Sequence, residues 1–61
     1  MKKKDFEKHL RSYGCKLKRQ GGKHEIWENS LSSSWSTIPR HRELKKYLCD
    51  KICNDLDIPL L

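Results

Sequence analysis

Apolar residues fall in short groups along this chain, and their spacing changes from one group to the next. Phe6, Leu10 and Tyr13 are separated by four and then three positions, which puts them on one face of a helix. The spacing predicts a helix over residues 4–13. Asp5 and Glu7 lie in its first turn, where carboxylates suit the positive end of the helix dipole. Gly14 follows at the position where a left-handed residue commonly ends a helix.

From Cys15 the period drops to two. Cys15-Lys16-Leu17-Lys18-Arg19 alternates apolar with basic residues, as a half-buried strand does, with Cys15 and Leu17 expected toward the core and Lys16 and Lys18 toward solvent. Gln20-Gly21-Gly22 reads as a turn. A second strand is expected from His24 to Glu28, with Ile26 and Trp27 as its β-favouring members. Residues 29–34 are rich in serine and read as a loop. A third strand, Trp35 to Ile38, ends at Pro39, which cannot donate to a ladder. Leu44, Leu48, Ile52 and Leu56 then step by four, flanked by Tyr47, Cys49 and Cys53, and predict a final helix closing near residues 54–57. Ile58-Pro59 cannot continue it. Ile58, Leu60 and Leu61 either fold back on the core or meet a partner.

The predicted order is α-β-β-β-α. Two helices with apolar stripes and one small sheet imply an α+β fold, both helices packed on one face of a three-stranded antiparallel sheet. The other face is left to solvent or a ligand. Alternation places His24, Ile26 and Glu28 on one side of the second strand and Glu25 and Trp27 on the other, without saying which side is inner. If Ile26 points to the helices, Trp27 is open and His24 turns inward unless it lies beyond the helix layer. Trp35 is open to the same two placements.

Composition narrows this picture. A chain of 61 residues is one domain, and so small a domain buries only about 60% of the surface its unfolded form exposes. Fourteen Lys and Arg against eight Asp and Glu give a net charge of +6, a field that draws polyanions or simply keeps the chain in solution. Nucleic acid is the first partner to consider, ahead of an anionic surface or an acidic protein. Three cysteines make an odd count and do not suggest a disulfide scaffold. Lys2-Lys3-Lys4 is followed by Asp5 and not by an apolar stretch, so no secretory leader is expected, and no segment has the length of a membrane span. A cytoplasmic protein with reduced thiols is the simplest expectation.

The chemistry rests on few residues. Cys49 and Cys53 lie among Leu48, Ile52 and Leu56 and read as small core hydrophobes, so no metal site and no cofactor are expected. Gly21-Gly22 lacks the third glycine and the following helix of a dinucleotide loop. The serines at 32–34 have no activating neighbour. His9 reads as a surface residue. His41 stands among Arg40, Arg42, Lys45 and Lys46, a basic cluster suited to phosphate, or an ordinary solvated loop. His24 opens a strand after a glycine turn, with Lys23 beside it. Histidine titrates near neutrality and suits proton transfer. In RNA cleavage a base takes the 2′-hydroxyl proton, an acid protonates the leaving 5′-oxygen, and cations neutralise the phosphorane.

Five segments together resemble the HicA toxin family of small mRNA interferases. They are Y-G-C closing the first helix, K-L-K-R-Q, G-G-K-H-E-I-W, S-T-I-P-R-H-R-E-L-K, and I-C-N-D-L-D-I-P. The resemblance covers essentially the whole chain, with Lys23 standing where many members have serine. It implies a fold like a double-stranded-RNA-binding domain and metal-independent cleavage of mRNA. It also implies a HicB-type antitoxin that covers the site, and a catalytic histidine in the Gly-x-His element, here His24. Lys23, Arg40, His41 and Arg42, with Lys16 and Lys18, are then the expected RNA contacts. The alternative is a non-catalytic RNA-binding module of the same fold.

Overall fold

The computed structural model describes all 61 residues as an α-β-β-β-α domain. Helix α1 spans Lys3–Ser12, and strands β1, β2 and β3 span Cys15–Gln20, His24–Asn29 and Trp35–Pro39. Helix α2 spans Lys46–Asp55. The sheet is an antiparallel meander of order β1-β2-β3, so β2 is central. Helix α1 packs against β1 and α2 against β3. Eleven apolar residues form the core, among them Phe6 and Leu10 of α1, Trp27 and Ile38 of the sheet, and Ile52 and Cys53 of α2.

Helix ends follow local rules. Tyr13 caps α1 and Gly14 follows with φ +83, so the left-handed residue stands where the sequence places it. At the end of α2, Asp57 adopts φ 58; its N–H donates to the Asn54 carbonyl at 3.2 Å, and the Ile58 N–H donates to the Cys53 carbonyl at 3.0 Å. This pair of bonds is a Schellman closure. It swings Ile58 back into the core, while Leu60 and Leu61 stay exposed. The apolar tail is therefore divided. The ring of His9 lies 2.9 Å from the Pro59 carbonyl and holds the segment in place.

Three expectations change. Leu17 is 42% exposed, not core. It pairs with Trp27 and so faces the helix side, but it lies on an edge strand beyond the area the helices cover. The expected alternation of β1 breaks at a bulge between Leu17 and Arg19, which leaves Lys18 unpaired and sets Arg19 opposite Ile26. Leu44 is buried but lies before α2, in an extended segment. There Lys2 and Glu43 form an antiparallel bridge, with Lys3 N–H donating to the Arg42 carbonyl and Leu44 N–H to the Met1 carbonyl, both at 2.8 Å. That bridge satisfies an otherwise unpaired N–H at the start of α1, which has no side-chain cap.

The facing of β2 is also decided. Glu25, Trp27 and Asn29 are buried toward the helices, and His24 is exposed. Trp27 fills the core at 1% exposure, and its indole N–H donates to Glu25 Oε1 at 3.0 Å. His24, Ile26 and Glu28 occupy the helix-free face. Opposite them on β3 stand Pro39, Thr37 and Trp35.

Candidate functional site

His24 begins the central strand, paired with Pro39 of β3. The turn before it is closed by the Gly21 N–H, which donates to the His24 carbonyl at 2.8 Å. A Cβ on Gly21 would stand 3.1 Å from that carbonyl, so any larger residue there has to push the carbonyl back by a few tenths of an ångström. Lys23 joins the next residue cluster through its carbonyl, which accepts the Arg40 N–H at 3.1 Å. The backbone at His24 is thus held from both sides while its imidazole faces solvent.

Arg40 turns back onto this turn. Its Nη1 lies 3.4 Å from the Gly21 carbonyl and 3.3 Å from that of Gly22, and its Nε lies 4.0 Å from Glu25. Glu25 in turn accepts from Lys3 Nζ at 2.8 Å, and Lys3 also bonds Glu7. Burial raises the pKa of Glu25, but the hydrogen bonds from Lys3 and Trp27 and the charges of Lys3 and Arg40 outweigh it, and the carboxyl sits below its usual range. For Lys3, burial pulls down and the bonds to Glu25 and Glu7 push up, with a net rise.

Beside this network opens a cleft of about 660 Å³ lined by Lys2, Lys3, Lys4, Glu7, Glu25, Arg40, His41, Arg42 and Glu43. Here Arg40, His41 and Arg42 of the expected cluster come together without Lys45 and Lys46, and are joined by three N-terminal lysines that the sequence pattern did not assign to it. The signal was the Lys2-Lys3-Lys4 run. Its placement depends on the bridge between Lys2 and Glu43, a pairing no local period announces. Lys2, Lys4 and Arg42 carry no ion pair, whereas Lys3 and Arg40 are engaged with Glu25.

Lys16 and Lys18 are exposed on β1 but do not join this cleft. Lys16 pairs with Glu28, four residues along β2 from His24 and so about 13 Å away along the strand. Lys18 lies 3.4 Å from the Glu28 carboxylate. A groove of about 340 Å³ on the helix-free face is lined by Lys18, Arg19, Ile26 and Trp35. Arg19 is the cation that sequence reasoning passed over, because strict alternation would have turned it inward.

No group of three or more His, Cys, Asp or Glu side chains stands together as a metal cradle. The three cysteines are free and buried, and burial pushes each thiol up, Cys53 to about 11. They are core residues.

Residues 4–58 match the family model described as the HicA toxin of bacterial toxin–antitoxin systems. The chain belongs to the HicA toxin family. It is therefore the toxin side of a toxin–antitoxin pair, with an antitoxin as its partner. No curated protein and no solved structure matches the chain. No helix of this HicA domain is long and apolar enough to cross a membrane.

Proposed function

We propose that this toxin, residues 1–61 acting as one domain, is an endoribonuclease. In this reading it cuts mRNA in the cytoplasm without a metal cofactor, and His24 is the general acid or base. The observation that carries the reading is the exposure of His24 at the fixed start of the central strand, in the Gly-x-His element of a HicA chain. A side chain on a rigid strand loses little freedom when it meets a phosphate, and proximity of this kind lowers the barrier.

The reaction is an attack of the 2′-hydroxyl oxygen on the adjacent phosphorus. The hydroxyl proton passes to a base, the bond from phosphorus to the 5′-oxygen breaks, and that oxygen takes a proton. His24 performs one of the two transfers. Lys23, adjacent in sequence, and Arg42 of the cleft hold the RNA backbone and offset charge on the phosphorane, and His41 beside Arg42 contacts the backbone. Arg40 contributes chiefly by clamping the 21–22 turn under His24. Lys16 and Lys18 contact RNA farther from the cut. A HicB-type antitoxin would silence the toxin by covering His24.

The test is incubation of pure protein with a labelled mRNA in chelator. The parent protein is expected to cut, and His24→Ala to lose at least about 10²-fold in rate while keeping its circular dichroism and RNA affinity. A folded His24→Ala protein that cuts at the parental rate would refute the assignment. RNA retarded in a gel but left intact by the parent would instead favour a binding module.

A further inference from the structure

The two tryptophans have opposite fates. Trp27 is consumed by the core, while Trp35 is 58% exposed on the helix-free face of the sheet. An indole left in water on a regular strand contributes little to folding. Around it the face is specialised. Ile26 supplies an apolar floor, and the bulge in β1 brings Lys18 and Arg19 to the same groove. Glu28 is the acidic residue there, and Lys18 pairs with it, which leaves Arg19 without a carboxylate partner. His24 lies on this face two residues before Ile26. Flat aromatic surface, apolar floor and cations beside them form the pattern of a single-strand nucleic-acid platform, in which bases stack and the backbone is held by charge.

We propose that Trp35 is a stacking site for one unpaired nucleobase of the RNA that reaches His24. Arg19 and Lys18 hold the adjoining phosphates. Trp35 stands opposite Glu28, so it is about 13 Å along the sheet from His24. The stacked base is therefore a flanking one and not the one whose phosphate is cut. Bases inside a duplex have both faces covered by their neighbours, so the site selects single-stranded stretches. Stacking accepts every base, so the site sets strand state and register more than sequence. The identity of the ligand rests on the ribonuclease reading above; the surface itself does not.

The experiment titrates the protein with a 2′-O-methyl oligoribonucleotide, which has no free 2′-hydroxyl to drive its own cleavage. Binding thus stays measurable whether or not the protein is a nuclease. Stacking on Trp35 should quench tryptophan fluorescence, and Trp35→Phe should remove most of that quench while keeping affinity within about threefold. Trp35→Ala should weaken binding roughly ten- to hundredfold, with an unchanged melting curve. The same sequence annealed to its complement should bind without the quench. Parental affinity in a folded Trp35→Ala protein would overturn the stacking site, even if the parent cuts mRNA. So would a Trp35→Ala protein that loses its antitoxin but keeps its RNA affinity, since the face would then be the antitoxin's seat. Failure of the parent to cut mRNA, with the quench and the affinity loss intact, would remove the nuclease reading and leave the stacking site standing.

Discussion

Glu25 shows how a single side chain ties the fold to the site. It is buried on the inner face, yet it reaches Lys3 of α1, the indole of Trp27 and, more distantly, Arg40, which clamps the turn before His24. Its lowered pKa has a consequence for stability. Unfolded, the carboxyl titrates near its ordinary value of about 4.3. Folded, it titrates lower, so its contribution is complete above that value and is lost as pH falls through the folded one. Lys3 mirrors it: a raised pKa gives a contribution complete below the ordinary lysine value of about 10.4, lost only at higher pH. Glu25→Gln keeps an acceptor for Trp27 but removes the charge. We expect it to cost roughly 1.5–3 kcal/mol near neutral pH. We also expect it to flatten the fall in melting temperature as pH drops below about 5. A parental acid limb in that variant would place the sensitivity elsewhere. Nothing in the sequence singled out Glu25. Its charged partners, Lys3 and Arg40, are remote in the chain. The motif pointed to His24, but alternation alone is symmetric between the two faces. What distinguishes the inner face is the Glu25 carboxylate, which accepts the Trp27 indole N–H inside the core, whereas Trp35 has no such acceptor.

Among elements, the helices and strands were legible because each carries its own period, and the helix stops because glycine and proline act locally. The bulge in β1 was not legible. Lys18 and Arg19 are both basic, so no apolar residue marks the slip in register, and the consequence is a groove instead of a regular face. Leu17 misled for the opposite reason: it keeps the inner side of the sheet but stands beyond the helices. The central strand gives a stability test of this division. Trp27, with Arg11 5.1 Å over its ring, is sealed in the core, and Trp27→Ala should cost about 3–5 kcal/mol. That is close to everything a domain this small has. Trp35→Ala should lie within about 0.5 kcal/mol of the parent. Urea denaturation of both decides it, and comparable losses would mean that the sheet has no free face.

On the scale of the whole molecule, the net charge of +6 said that a polyanion was plausible but not where it would lie. The fold sorts the cations. Lys46 and Lys51 are paired along α2 with Asp50 and Asp55, and Lys3 and Arg40 with Glu25. The cations Lys2, Lys4 and Arg42 converge, with His41 beside them, on the cleft at the end of the sheet where β2 starts, and Arg19 looks out from the open face. An RNA strand that stacks on Trp35 and passes His24 leaves the sheet at that same end, and it reaches the cleft by turning around the sheet end from the helix-free face to the side that Glu25 lines. Binding should then depend steeply on salt, because each neutralised phosphate of a single strand releases counterions. The slope of log affinity against log salt is about −0.7 per contact. Replacing Lys2 and Lys4 together by alanine removes two such contacts and should make the slope shallower by about 1.4. The accompanying loss of cleavage should appear in KM and not in kcat, since neither lysine touches the reacting atoms. An unchanged slope would mean that the strand bypasses the cleft, and that the cations of the open face alone hold the RNA.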